Sequence, residues 1–324
     1  MDNKISSYTA ANVLPVKVLK RRVLDREGRI IPYHIQLNPT NHCNLKCEFC
    51  SCANRDKHLE IDFLDIKEIM LNARDCGCKA VTITGGGEPL LYHSINQLIY
   101  FLWSFRIKIG LVTNGTQFER LSPDSLERIT WIRVSHSDER PFTDEYAREL
   151  SVFMNLENQV DWAFSYVLSK RPNFKNITSL IRFSNMITSM THVRIVSDLL
   201  DLEHVPNMLA VKDYLKRAGI SDHLVIYQGR KKFVRGRKKC LISLLKPVIG
   251  ADSNLYPCCG SQYAKDPPAG DYDESMCMGP ASDLTEIYET QRYFDGSQCV
   301  RCYYDEYNAL LDQLTTPIDH EEFV

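Results

Sequence analysis

His34-Ile35-Gln36-Leu37-Asn38 is a short β-rich run, and a few residues on the chain reads Asn41-His42-Cys43-Asn44-Leu45-Lys46-Cys47-Glu48-Phe49-Cys50. Three cysteines spaced C-x3-C-x2-C thus share one short loop directly after a strand. Three converging thiolates leave a fourth metal position open, whereas a structural zinc takes four closed ligands. Iron–sulfur clusters are held by cysteine thiolates at such close spacings. Zinc with Cys52 or His42 as a fourth ligand is the alternative that the spacing leaves standing. The loop's position bears on the fold, because loops after strand C-termini build the active face of barrel enzymes.

Outward from that loop one pattern repeats: a β-rich run, a polar turn, an amphipathic helix. The strands expected are His34–Asn38, Ala80–Thr84, Lys108–Thr113, Trp131–Ser135, Val160–Leu168 and His192–Val196, each rich in Val, Ile, Thr or aromatic residues. Between them, Asp62 caps a helix over Asp62–Ala73 whose apolar Phe63, Ile66, Met70 and Ala73 fall at helical spacing, with Gly77 past its end. Ser122-Pro123 pairs a cap with a proline at the first helical position, Thr143 caps a helix running to Phe153, and Pro206 opens one ending near Gly219. Strands alternating with helices imply a parallel sheet with right-handed crossovers. Six units do not close an eight-stranded barrel, so the expected fold is α/β, a partial, TIM-like (β/α)6 barrel. The alternation ends near residue 220. This divides the chain into a lead-in segment, 1–33, with a basic stretch from Lys17 to Arg22; the barrel, 34–229; and a cysteine-rich domain, 230–324.

Composition narrows the classes. Of 324 residues, 44% are hydrophobic and 25% charged, enough to bury a real core. Lys plus Arg at 39 against Asp plus Glu at 41 gives a net charge of −2, which excludes a generally basic nucleic-acid coat but not a local patch. The first residues lack the apolar core of a secretory signal. The longest apolar stretch, Leu98 to Phe105, is interrupted by Ser104 and too short to span a bilayer. A cytoplasmic protein with no membrane partner is expected. Twelve cysteines in such a chain point to metal rather than disulfides.

Cys43, Cys47 and Cys50, with aromatic Phe49 before the last, match the signature of the radical S-adenosylmethionine (SAM) enzymes, and the chain resembles that family. The resemblance implies an enzyme with a [4Fe–4S] cluster on these three cysteines, its fourth iron chelated by the amine and carboxylate of SAM. It further implies reductive cleavage of SAM to a 5′-deoxyadenosyl radical, which abstracts a substrate hydrogen, and an electron donor such as flavodoxin or ferredoxin. After the second strand stands Thr84-Gly85-Gly86-Gly87-Glu88-Pro89. Glycines let a backbone approach a ligand closely, and Glu88 is an acceptor for a cationic amine; in the family this segment binds the SAM amine. Asn114 ends the third strand where relatives place polar groups against the SAM ribose, and Ser135 with His136 ends the fourth. Arg194 on the sixth strand is set to meet the SAM carboxylate, or else to form an ion pair inside the barrel.

A second group comprises Cys240, Cys258, Cys259, Cys277, Cys299 and Cys302. It resembles the twitch domain, the shortened relative of the SPASM extension, and that match implies one auxiliary [4Fe–4S] cluster on Cys240, Cys258, Cys299 and Cys302. Cys259 and Cys277 are left as alternative ligands or a second site, and a structural zinc ribbon is the competing reading. Cys52, Cys76 and Cys78 read as structural.

Arg230 to Lys239 holds seven cations in ten residues, and without those seven the chain's −2 becomes −9. A concentrated positive loop on a negative body suits phosphate attraction, with Arg230, Arg235, Arg237 and Lys238 as substrate contacts. The alternative is a solvated interdomain linker. The favoured substrate is phosphate-bearing, a nucleotide or nucleic acid as in base hypermodification, with oxidation, epimerisation or rearrangement as outcome. Competing classes are dehydrogenation of an aminocyclitol or sugar, peptide modification, and a non-enzymatic zinc-stabilised nucleic-acid-binding scaffold. Residues 1–33 are short for the extra peptide-binding domain that peptide-modifying relatives carry.

Overall fold

The computed structural model describes residue 18 and residues 22–154, 160–201, 203–204, 207–229, 234–266 and 270–317. Seven parallel strands follow in chain order: β1 (His34–Leu37), β2 (Ala80–Ile83), β3 (Lys108–Thr113), β4 (Trp131–Ser137), β5 (Asp161–Leu168), β6 (Met190–Ser197) and β7 (Val225–Gln228). Six helices alternate with them: α1 (Phe63–Asp75), α2 (Ile95–Ser104), α3 (Pro123–Arg128), α4 (Asp144–Met154), α5 (Phe174–Met186) and α6 (Met208–Arg217). This is the partial TIM-like barrel that the alternation predicts, extended by one strand. β7 lies beyond the six expected strands because it is four residues long and buries none of its side chains fully, so its apolar signal is weak.

Capping chemistry fixes the helix starts. The Asp62 carboxylate accepts from the Leu64 N–H at 2.7 Å, Ser122 Oγ accepts from Ser125 N at 3.1 Å with Pro123 behind it, and Thr143 Oγ1 accepts from Tyr146 N at 3.2 Å. α6 is capped by Asn207; Pro206 lies outside the described residues, as do residues 1–17 and 19–21 of the lead-in. Gly77, at φ +109°, ends the turn after α1, where a Cβ would press on Ile31.

Because strand side chains alternate, the sheet has two unlike faces. Ile35, Leu37, Val81, Ile83, Ile109, Leu111, Ile132, Val134, Phe164 and Ile195 are essentially fully buried and form one cluster with Ile66, Leu98, Leu102, Leu126, Leu180 and Leu215 of the helices. Each such side chain contributes about 1.5–3 kcal/mol relative to an exposed one, so the helix-facing side holds the fold together. The other face, lining the lumen, carries His34, Gln36, Thr82, Arg133, Ser135, Ser165, His192 and Arg194. Stability sits outside the barrel wall and polar chemistry inside it.

The segment beyond β7 docks on the opposite edge. β8 (Lys239–Cys240) pairs antiparallel with β12 (Phe294–Asp295) as a separate ribbon. β9 (Val248–Ile249) pairs parallel with β1, and β10 (Asn254–Tyr256) and β11 (Gly279–Pro280) continue from it antiparallel. The main sheet is therefore ten-stranded, in the order β11-β10-β9-β1-β2-β3-β4-β5-β6-β7. Helices α7 (Ile242–Leu245), α8 (Leu284–Glu289) and α9 (Asp305–Thr315) complete this segment. Among the described residues no helix is long and apolar enough to cross a membrane.

Candidate active site

The loop after β1 is held at both ends. Asn41 N–H donates to Leu59 O, its side-chain amide donates to Asp56 O at 2.9 Å, and Cys50 N–H turns back onto Cys47 O at 3.2 Å. Arg55, only 6% exposed, reaches across the loop. Its Nε donates to Asn41 O at 3.0 Å, and its Nη1 donates to Cys52 O and to Cys50 Sγ, the latter at 3.3 Å. A guanidinium N–H aimed at sulfur strengthens when that sulfur is a thiolate. Cys43, Cys47 and Cys50 are half-buried, whereas Cys52 is fully buried. Burial pushes the Cys47 thiol up to about 11, with Glu139, Cys50 and Cys43 adding to it, and burial raises Cys43 as well. Thiols raised in this way, Cys43 and Cys47, must release protons when they bind metal. Phe49 is half-buried in the same loop.

The glycine segment after β2 packs onto the cysteine loop. Gly87 N–H donates to Thr40 O at 3.0 Å and Glu88 N–H to His42 O at 2.7 Å. A Cβ at Gly86 would overlap the Asn41 amide oxygen, and one at Gly87 would overlap the His42 carbonyl. The glycines are thus required first by this backbone contact. Glu88 is 2% exposed, and its carboxylate accepts from Leu90 N–H at 3.0 Å, Thr113 Oγ1–H at 2.6 Å and Asn114 N–H at 2.7 Å. Burial raises its carboxyl pKa while these donors and Arg140 pull it down. A carboxylate offers about four acceptor positions, so roughly one remains for a further donor.

Around Glu88 the ends of three strands join into one polar platform. Asn114 Nδ2 donates to Asn44 Oδ1 at 2.9 Å, tying β3 to the cysteine loop. Arg140 donates to Asn114 O at 2.7 Å and to Ser135 O at 2.9 Å, tying β3 to β4. His136 faces away, stacked on Tyr166 and edge-on to Phe142. Burial drives its pKa down to about 3, with Arg140 adding to the shift, so it is a neutral core imidazole. Arg194 stands in the lumen, its Nη2 donating to Ser165 Oγ at 3.3 Å. Sequence reading missed Arg55 and Arg140, because lone arginines in polar loops carry no distinguishing spacing.

Four further thiols gather in the C-terminal segment. Cys240, Cys258, Cys299 and Cys302 line one cavity, closed around by Gly236, Gly296 and Asn308. Backbone N–H groups of Gly260 and Tyr304 donate to Cys258 Sγ at 3.3 Å and Cys302 Sγ at 3.4 Å. Burial is the main cause that pushes Cys240 up to about 12 and Cys299 to about 11, and the sulfurs act on one another's charge. Cys259 instead contacts Tyr304 Oη at 3.1 Å, and Cys277 Sγ accepts from Gly279 N–H at 3.3 Å; neither lines the cavity. Among the described residues no three His, Cys, Asp or Glu converge as tightly as a single ion requires. Four cysteine side chains lining one cavity are a donor set that either a structural zinc or an iron–sulfur cluster uses.

Of the basic run, Arg230 lies outside the described residues, as does Phe233. Arg235 and Lys238 are exposed, whereas Arg237 is paired with Asp305 and Lys239 with Asp312.

A strand-end loop of three thiols, keyed by a buried glutamate, has a counterpart in known proteins. Residues 37–137 match the family model of the Radical SAM superfamily. Among similar proteins, a GTP 3′,8-cyclase of Helicobacter pylori is 31% identical over 110 residues, covering 32% of this chain and 33% of that protein. An S-adenosylmethionine-dependent nucleotide dehydratase of Selenomonas ruminantium is 27% identical over 84 residues, covering 26% and 30%. The chain thus matches about a third of these relatives' length. Streptococcus suis SuiB, in a crystal structure bound to precursor peptide SuiA, superposes with a TM-score of 0.55 at 16% identity, covering 88% of this chain and 79% of that one. That likeness is one of fold. The superfamily matched by residues 37–137 is one whose members use SAM and a [4Fe–4S] cluster.

Proposed function

We propose that this chain is a radical SAM enzyme acting on a phosphate-bearing substrate of the nucleotide or nucleic-acid class. The observation that carries the reading is the three-thiol loop at the mouth of the barrel, locked to β2 and β3 through Gly87, Glu88 and Asn114. Cys43, Cys47 and Cys50 would hold the cluster and leave one position open. Bound there, SAM supplies the 5′-deoxyadenosyl radical that removes a substrate hydrogen. The remaining acceptor capacity of Glu88 and the carbonyls of Gly85 to Gly87 orient the SAM amine, with Asn114 and Ser135 as further contacts. Arg55 holds the loop's shape by spanning it from Asn41 to Cys50.

Cys240, Cys258, Cys299 and Cys302 would hold an auxiliary [4Fe–4S] cluster. With all four protein ligands present no iron is left for substrate, so its role is electron transfer. A low-potential donor such as flavodoxin or ferredoxin completes the system. The exposed Arg235 and Lys238 attract phosphate toward the barrel mouth, and the names of the two curated relatives, both of which refer to nucleotides, favour the same class.

Anaerobic purification is expected to give about eight irons per chain, the content of two four-iron clusters, and 5′-deoxyadenosine on reduction with dithionite. Nucleoside triphosphates should accelerate that product several-fold over its basal rate. Colourless protein with one or two zincs would refute the enzyme reading, and acceleration by peptides or aminocyclitols alone would refute the substrate class.

A further inference from the structure

Arg194 is a half-buried cation with no carboxylate partner among the described residues. It sits on the lumen face of β6, in register with Ser165 of β5 and, one strand further, Ser135 of β4. Its Nε is out of contact with water and, among the described residues, donates to no acceptor; the side-chain bond it makes there is the 3.3 Å donation to Ser165 Oγ. The side chain nevertheless keeps part of its surface accessible. Cys259, Tyr304 and Tyr263 are the groups that act on its charge, and no carboxylate is among them. Two residues deeper on the same face lie Arg133 and His192, and His192 is held neutral by burial, reinforced by both arginines. This part of the lumen is positive, hydroxyl-lined and short of acid.

We infer that Arg194, with the hydroxyl of Ser165, receives an oxyanion of the substrate inside the barrel. A guanidinium pairs with phosphate or carboxylate through two parallel N–H bonds, and Arg194 has an unused Nε–H to give. Leaving a desolvated charge unpaired is costly, so the ligand-free site is poised to gain from such a partner. The SAM carboxylate is the other oxyanion at hand. The arginines that act on the cysteine loop and on Glu88, however, are Arg55 and Arg140. Arg194 looks instead toward residues 259–304. The inference rests on the proposed reading that substrate enters this barrel, and it adds where the substrate's charge goes.

The test uses full-length protein reconstituted under anaerobic conditions, titrated calorimetrically with inorganic triphosphate and separately with SAM. Wild type should bind triphosphate saturably. Arg194→Met should weaken that binding at least tenfold and Arg194→Lys by less, both keeping SAM affinity within twofold. Ligand-free Arg194→Met should also melt at the same or a higher temperature, since it removes an uncompensated charge, whereas a merely structural arginine would lower the melting point. Unchanged triphosphate binding in Arg194→Met overturns the inference, as does a tenfold loss confined to SAM. If Arg194→Met does not fold, Arg194→Lys is judged by the same two affinities. Triphosphate binding lost in the variant, with no 5′-deoxyadenosine formed even by wild type, would sink the enzyme reading and leave the anion site standing.

Discussion

The two groups of thiols are built in opposite ways. Cys43, Cys47 and Cys50 lie within eight residues of one loop, half-buried, and their spacing is set by local turns and by Arg55. Cys240, Cys258, Cys299 and Cys302 come from well-separated stretches brought together by the β8–β12 ribbon, the Val234–Cys302 bridge and the packing of Phe294, Tyr256 and Met276. A loop of three sulfurs can stay in place without metal because the barrel beneath it is stable. A quartet assembled by tertiary contacts, in a segment with a small core of its own, depends more on what it binds. The first group is organised for access, the second for enclosure.

The largest effect should come from breaking each group in turn. Cys47→Ala is expected to abolish 5′-deoxyadenosine formation and lower the iron content to about four per chain. Cys299→Ala should lose a similar amount of iron yet retain some uncoupled SAM cleavage. The groups should also part in stability: iron chelation should raise amide hydrogen exchange around residues 240–302 and leave β1–β6 protected. Equal loss of protection in both regions would erase the contrast, and full SAM cleavage by Cys47→Ala would remove its catalytic half.

Next in size is the platform that anchors the open group. Glu88→Gln keeps the shape but removes a charge that three donors share, and places an NH2 against one of them. Hydrogen bonds to charged groups are worth roughly 1.5–3 kcal/mol, so a loss of about 2–4 kcal/mol by urea unfolding is expected, together with weaker SAM binding. Cys240–Cys302 iron should be unaffected. A variant that loses SAM binding at unchanged stability would make Glu88 a ligand group first and an anchor second.

Which of these features the sequence discloses follows from how local they are. The cysteine loop, the glycine segment, Asp62, Ser122-Pro123 and six strands rest on contacts within a few residues, so spacing and periodicity reveal them. β7 and the two-residue β9 do not, because they exist only by pairing with β6 and β1. Likewise the tie from Glu88 to Thr113, 25 residues apart, and the span of Arg55 are tertiary facts. His136 shows the same limit: a strand end offers two faces, and one step of register separates a core imidazole from a residue in the lumen.

A smaller effect separates the barrel wall from both thiol groups. His136 and His192 are each pushed to about 3, mainly by burial. With the folded pKa below the unfolded value of about 6.5, only the unfolded chain takes up the proton between these limits, so stability falls as pH drops below 6.5. Each histidine should cost about 2 kcal/mol between pH 7 and pH 5. His136→Gln should remove one share of that slope in urea titrations while iron content stays constant. An unchanged slope would place the acid sensitivity elsewhere.

The smallest expected effect tests what encloses the second group. Arg237 lines its cavity, but its guanidinium turns outward to Asp305 in the first turn of α9, where an acid also suits the helix dipole. Both side chains are partly exposed, at 47% and 25%, and such pairs are worth about 0–1 kcal/mol and are screened by salt. Arg237→Ala should therefore shift stability by no more than that, lose the shift in about 1 M salt, and keep its iron. The quartet is held by backbone pairing and by N–H groups of Gly260 and Tyr304 pointing at sulfur, which this substitution leaves in place. Loss of half the iron from Arg237→Ala would mean that the enclosure hangs on one surface charge, and the contrast between a local and an assembled thiol group would have to be redrawn around electrostatics.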